Sequence, residues 1–271
     1  MQPGSVSDLP GASHQPFGDL EETWTEVDGH LIRSFSTGQR TALPEVVLIP
    51  GMGAPLALYP WARRIGRWSR ATVLDLPGWQ HGHGRGSPST VAAVGAAAAR
   101  WLEVTDAHDV VLVGHSSGSQ SALHVARLVP ERLVGLVLSA PTLDPRVRRL
   151  PVLLVRLLEA VVQERPTELP TALPWARGVV PWFRLAHSVA RDRPEHLVPV
   201  VRPPILLLSG ENDRFAPPVW AKHLASLVPS SHVVIPGPHN ACFTSPDAAD
   251  TALHQVVLRW ISAADPCSGP V

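Results

Sequence analysis

Apolar residues along this chain gather into short runs separated by stretches of helical spacing. Residues 23–35 carry a strand-like pattern interrupted by Asp28-Gly29, which predicts a hairpin. Six brief runs follow, at 46–49, 71–74, 110–113, 133–138, 205–208 and 232–235. Helical spacing fills the intervals. It covers 59–68, with arginines on one face, and an Ala-rich stretch from Ser87-Pro88, read as N-cap and first helical position, to about 104. It covers a stretch ending near 129 and a last one from Ser245-Pro246 to near 262. Continuous β-branched or Leu runs alternating with helices predict a mostly parallel central sheet with helices on both faces, an α/β class.

The alternation breaks once. Between 141 and about 203 no strand pattern appears, only helical stretches around 147–162 and 175–191 with frequent prolines. A compact α/β sheet closes without such an insertion, so a helical lid is expected after the sixth strand. The expected organisation is a tail at 1–20, a core at 21–140 and 201–264, a cap at 141–200 and a tail at 265–271.

Composition narrows the function classes. Of 271 residues, 45% are apolar and 17% charged, as in an ordinary globular protein. Lys+Arg and Asp+Glu are 23 each, so no basic excess points to nucleic acid or to an anionic membrane. Lys222 is the only lysine, and the arginines are scattered. No run of about 18 apolar residues exists; the longest candidate, 151–162, is cut by Arg156 and Glu159. No basic patch followed by an apolar run opens the chain, and two cysteines, Cys242 and Cys267, make no disulfide framework. A cytoplasmic protein is the expectation.

The strongest chemical signal is Gly114-His115-Ser116-Ser117-Gly118, directly after the 110–113 run and before a helix. That context fits a nucleophile elbow, a sharp strand-to-helix turn that exposes a serine hydroxyl at a helix N-terminus. Small residues are needed two positions either side, and Gly114 and Gly118 supply them around Ser116. Centring on Ser117 would put His115 and Ser119 there. A serine hydroxyl needs a general base, and the base an orienting acid. In an open sheet both belong at the carboxyl ends of later strands. The 205–208 run leads into Asp213, and the 232–235 run into His239, in the chain order Ser116, Asp213, His239.

With these residues the chain resembles a serine hydrolase of the α/β-hydrolase superfamily, over roughly 23–262. The resemblance rests on Ile49-Pro50-Gly51-Met52-Gly53, Asp75-Leu76-Pro77-Gly78-Trp79, the elbow at 114–118, Gly210-Glu211-Asn212-Asp213 and Gly237-Pro238-His239. Pro50 stands where the family commonly has His, and Pro238 where it commonly has Gly. The resemblance implies catalytic Ser116, Asp213 and His239. It also implies an oxyanion hole from the backbone N–H groups of Met52 and Ser117, for which their side chains are not required. Two such donors lower a barrier by about 3–4 kcal/mol each. The implied reaction is hydrolysis of a carboxylic ester or lactone through an acyl-enzyme, without metal or organic cofactor. A serine rather than an aspartate at the elbow argues against dehalogenases and epoxide hydrolases. The same triad could act on a C–C, thioester or amide bond or in a lyase-type reaction, and a hydrolase-like binding protein is the remaining alternative.

Other residues have blander readings. Glu211 and Asp144 compete with Asp213 for the acid, and Asp247 reads as first-turn helix charge. His81 and His83, in a Gly-rich loop without further ligands, make a poor metal site, and Cys242 reads as a buried thiol. Nine tryptophans stand out. Trp79, Trp175, Trp182 and Phe183, with His115, are the candidate lining of a pocket for a hydrophobic small-molecule substrate. The pattern leaves the oligomeric state open.

Overall fold

The computed structural model describes residues 20–78, 86–148, 152 and 179–264. Outside these lie residues 1–19 of the first proposed tail and all of the second, 265–271, with Cys267, the 79–85 stretch with Trp79, His81 and His83, and most of the 149–178 stretch with Trp175. Eight strands form one sheet: β1 (Glu21–Val27), β2 (His30–Thr37), β3 (Glu45–Ile49), β4 (Ala71–Asp75), β5 (Val110–His115), β6 (Leu133–Ser139), β7 (Ile205–Gly210) and β8 (Ser230–Ile235). Their order is β1-β2-β4-β3-β5-β6-β7-β8. β1 and β2 pair antiparallel, as do β2 and β4, and every later pairing is parallel. Asp28 and Gly29 both take positive φ, 49° and 77°, which suits a two-residue hairpin turn.

Side-chain alternation sends each central strand into two cores. Val47, Ile49, Leu112, Leu136 and Leu138 face one side, against α2 (Val91–Val104), α3 (Ser117–Leu128) and α6 (Pro218–Ala225). Val46, Leu48, Val111, Val113 and Val137 face the other, against α1 (Tyr59–Ile65) and α8 (Pro246–Ala264). A strand buried on both faces has no polar position to spare, which is why these runs read as continuous. Leu112 sits in the centre of the sheet with 0% exposure. Leu112→Ala is expected to lower unfolding stability by about 2–5 kcal/mol, read as a shift in the urea midpoint.

The Ala-rich helix begins later than the Ser87-Pro88 pattern predicts. Thr90 is the N-cap: its backbone is extended (φ −138°, ψ 150°) and its side chain accepts from the Ala93 N–H at 3.2 Å. The Ser87 hydroxyl instead donates to the carbonyl of Pro88, so two plausible caps lay three residues apart and the hydrogen-bonded one marks the start.

Between β6 and β7 the described residues contain a 3₁₀ turn (Pro145–Val147), α4 (Val179–Arg191), α5 (Pro194–Leu197) and a further 3₁₀ turn (Val198–Val200), and no strand. α4 buries Leu185 and Val189, one helical turn apart, with Val91, Leu143 and Val147. The Val91 N–H donates to Ser188 Oγ at 3.1 Å, and Gln120 Nε2 donates to the carbonyl of Val189 at 3.1 Å. Arg148 donates to both carboxylate oxygens of Glu195 at 2.8 and 2.7 Å. α7 (Ala241–Thr244) follows β8. Among the described residues no helix is long and apolar enough to cross a membrane.

Candidate active site

β5 ends at His115, and Ser116 turns the chain into α3 with φ 55° and ψ −122°, a conformation that an L-residue adopts only under constraint. The Ser116 N–H donates to the carbonyl of Ser139 on β6 at 2.9 Å. Its carbonyl accepts from the Ser119 N–H at 3.0 Å and from the Ser119 hydroxyl at 2.5 Å. The turn leaves no room for side chains at either flank. A Cβ on Gly114 would lie 2.3 Å from the carbonyl oxygen of Gly118, and one on Gly118 would lie 2.3 Å from that of Ile49.

Two later strand ends deliver the partners. Asp213 lies in the loop after β7 and His239 in the loop after β8. His239 Nε2 stands 2.9 Å from Ser116 Oγ, and His239 Nδ1 stands 2.9 Å from Asp213 Oδ2. Asp213 Oδ1 accepts the backbone N–H groups of Phe215 at 2.9 Å and Ala216 at 2.8 Å. Both carboxylate oxygens are therefore engaged, on a side chain that is 0% exposed. The Phe215 ring meets His239 edge-on, with centroids 5.0 Å apart and planes at 79°.

The competing carboxylates are occupied elsewhere. Asp144 caps the Pro145–Val147 turn and receives Arg146 on both oxygens, at 3.1 and 2.7 Å. Burial pushes its carboxyl up, but the hydrogen bonds and charge of Arg146 outweigh this and hold it below the ordinary carboxylate range. Glu211 is exposed and accepts from the Asn212 side-chain amide. Asp247 lies in the first turn of α8 and receives Arg64 Nη2 at 3.1 Å.

His115 is buried, at 2% exposure, and packs behind His239, with ring centroids 5.5 Å apart. Its Nε2 pairs with Asn240 Oδ1 at 3.1 Å, and its Nδ1 faces Ser139 Oγ at 3.3 Å and the buried Cys242 Sγ at 3.6 Å. A neutral ring with its proton on Nε2 fits this set. Burial first, and then the neighbouring His239, push its pKa down to about 4. An unfolded histidine titrates near 6.5, so between pH 6.5 and 4 the unfolded chain binds the extra proton and the folded state loses stability as the pH falls. The loss amounts to about 3 kcal/mol across that window. Denaturation curves at pH 7 and pH 4.5 are expected to diverge by this order between wild type and His115→Gln. Parallel pH dependence in the two proteins would contradict it.

Phe183 is 63% exposed and lines a surface groove with Thr90, Val91, Arg184 and His187. Because α4 turns Leu185 and Val189 inward, Phe183 falls on the outer face. Trp182 is half-buried and packs, with Met52 and Phe215, onto the cluster of Leu143, Leu185 and Val189. Phe215 had no distinct sequence signal beyond an aromatic two residues after Asp213.

Met52 follows β3 and Pro50-Gly51. It adopts φ 45° and ψ 30°, and its N–H donates to Ser117 Oγ at 2.8 Å. Gly51 lets this loop lie against the elbow: a Cβ there would be 2.6 Å from Ser116 Cβ and 3.2 Å from Ser116 Oγ. Among the described residues no group of three or more His, Cys, Asp or Glu could hold a metal ion.

A family model described as "Alpha/beta hydrolase family" matches residues 46–252. Comparison with curated proteins gives no sequence match. Among solved structures, a thermophilic esterase from Thermogutta terrifontis is similar over 89% of this chain and 98% of its own, at 21% identity and a TM-score of 0.70. An enol-lactonase from Burkholderia xenovorans LB400 is similar over 89% and 100%, at 16% identity and a TM-score of 0.69. A putative lipase from Acinetobacter baumannii AYE is similar over 91% and 94%, at 15% identity and a TM-score of 0.70. At these identities the likeness speaks for the fold alone.

Proposed function

Since the chain belongs to the alpha/beta hydrolase family, and is a hydrolase by that membership, we propose that it cleaves a carboxylic ester or lactone of a hydrophobic small molecule through an acyl-enzyme on Ser116. One observation carries the reading: Ser116 Oγ, His239 and Asp213 form a continuous hydrogen-bonded row with 2.9 Å at both links. In the first half-reaction Ser116 Oγ bonds to the substrate carbonyl carbon while His239 Nε2 takes the hydroxyl proton. The carbonyl electron pair moves onto oxygen. When the intermediate collapses, His239 gives that proton to the departing alcohol. Water then attacks the acyl group, again losing its proton to His239, and the second intermediate collapses by breaking the Ser116 Oγ–acyl bond as His239 returns that proton to Ser116 Oγ and the acid departs. Asp213 keeps the other ring proton on Nδ1 and stabilises the imidazolium that forms. Its own orientation is locked by the two N–H groups on Oδ1.

The hydrophobic preference is supported by Phe215, edge-on to His239, and by Met52 and Trp182, which pack on the same apolar cluster as Phe215. We propose that the segment between β6 and β7, through α4, forms a cap over this cluster. A series of p-nitrophenyl esters of increasing acyl length, assayed beside lactones, thioesters and anilides, tests the substrate class. Esters or lactones with apolar acyl groups are expected to lead in kcat/KM. Preference for an anilide or thioester would move the assignment to another bond type.

A further inference from the structure

We propose that the Ser117 hydroxyl is itself an oxyanion donor, with the Met52 N–H acting through it rather than on the substrate directly. The inference rests on the serine-hydrolase reading of Ser116 and adds a reacting group to it.

In the resting structure the Met52 N–H is already engaged. It donates to Ser117 Oγ at 2.8 Å, the length of a good hydrogen bond. Ser117 is 3% exposed and is the first residue of α3, immediately after the nucleophile. The Met52 loop is pressed against the nucleophile, since the space a Cβ of Gly51 would take lies only 3.2 Å from Ser116 Oγ. The Met52–Ser117 hydrogen bond therefore ties the loop that lies against Ser116 Oγ to the residue that follows it.

A substrate oxygen arriving there has two routes to this amide. It can expel the Ser117 hydroxyl, or it can bind to it. Expulsion leaves a buried hydroxyl to find a new partner, and an unsatisfied buried polar group costs about 1–3 kcal/mol. Binding requires no rearrangement of heavy atoms. A hydroxyl has one proton to give and two lone pairs to receive with. Ser117 Oγ accepts from Met52 with a lone pair, and its proton is free to turn toward the substrate. Accepting a hydrogen bond polarises the O–H and makes it a better donor. Toward an oxyanion the bond becomes charge-assisted, short and about twice as strong as a neutral one. The Ser117 backbone N–H, one of the first four in α3 and so without an intrahelical acceptor, supplies the other contact. No proton leaves Ser117 at any stage; the only proton transferred in the attack passes from Ser116 to His239.

The same bond explains the backbone of Met52. A non-glycine residue at φ 45° is strained unless its surroundings hold it there. Here the Ser117 hydroxyl is the acceptor that holds its N–H in place. Ser117 thus preorganises the loop and donates to the charge that develops.

Ser117→Ala and Ser117→Thr, assayed with a p-nitrophenyl ester and with a trifluoromethyl ketone, test the proposal. The ketone adds to Ser116 as a hemiketal whose oxyanion occupies the same place. Loss of a single oxyanion donor is expected to lower kcat by about 10²-fold in Ser117→Ala, with KM within about threefold, and to weaken the ketone by a similar factor. Ser117→Thr, which keeps the hydroxyl, is expected to recover at least about tenfold of that loss in kcat. If either variant folds poorly, the ketone affinity of the remaining folded fraction, titrated against fluorophosphonate-reactive sites, gives the same comparison. Unchanged or raised kcat and ketone affinity in Ser117→Ala would overturn the proposal and return the donor role to the backbone N–H groups of Met52 and Ser117. Absence of ester turnover and phosphonate labelling in the wild type would instead strike the serine-hydrolase reading.

Discussion

Replacing Ser116 with Ala is expected to reduce kcat for ester hydrolysis by about 10⁴-fold or more. The size follows from what is lost. Without the hydroxyl there is no acyl-enzyme, so water must attack the substrate directly, assisted only by His239 and the oxyanion donors. Those groups persist in the variant, and they sustain a residual rate of roughly 10³–10⁴ over water in enzymes of this mechanism. The fold should tolerate the change. A hydrogen replaces a hydroxyl at a position where the backbone is held by the Ser139 carbonyl and by the Ser119 amide and hydroxyl, not by Ser116 Oγ. An unaltered melting temperature alongside the lost turnover is the expected pair of results. Retained turnover in Ser116→Ala would remove Ser116 from the reaction.

Asp213→Asn is expected to cost about 10⁴-fold in kcat, and for a different reason. The carboxylate has distinct neighbours on its two oxygens. Oδ1 faces two N–H donors, from Phe215 and Ala216, while Oδ2 faces His239 Nδ1. An asparagine placed here satisfies the backbone donors only with its carbonyl oxygen, which turns its NH₂ toward the imidazole. His239 Nδ1 then has to accept, so the ring proton moves to Nε2. In that tautomer Nε2 donates to Ser116 and cannot take its proton. The variant is thus expected to bind substrate and turn it over slowly, with KM changed far less than kcat. Glu211→Gln and Asp144→Asn serve as the contrast. Glu211 is exposed and Asp144 is occupied by Arg146, so each should change kcat by less than about tenfold. An outcome in which Asp144→Asn is the crippling substitution would move the acid to the end of β6.

Much of this arrangement was legible along the chain because it is encoded locally. The sheet announced itself through runs such as 46–49 and 110–113, whose members are buried on both faces and so tolerate no polar residue. The elbow was legible because two backbones approach within a distance that only glycine allows at 114 and 118. Asp213 and His239 were placed by counting strand ends, since parallel strands deliver their following loops to one edge of the sheet.

What could not be read depends on rotation and on three-dimensional neighbours. Phe183 and Trp182 are adjacent in sequence, yet the phase of α4 turns one outward and half-buries the other against the cluster of Leu143, Leu185 and Val189. An amphipathic pattern rich in apolar residues does not fix that phase to within one position. His115 sits inside the elbow motif, but whether it faces substrate or the interior is decided by Ser139, Asn240 and Cys242, from β6 and the chain after β8. Nothing along the chain marks the Ser117 hydroxyl, because an oxyanion hole of backbone amides needs no side chain. Its contact with Met52 joins residues 65 positions apart. The start of α2 turned on which of two hydroxyl residues caught a free amide, a contest that Thr90 won over Ser87 by its extended backbone.

Covalent labelling of the wild-type protein with a fluorophosphonate, followed by peptide mass mapping and ester assay of the same sample, addresses the hydrogen-bonded row itself. The expected result is one adduct per chain on the peptide carrying Ser116, with turnover lost in proportion to labelling. Full ester turnover in a sample carrying no adduct, or an adduct on another residue whose formation tracks inactivation, would contradict the account.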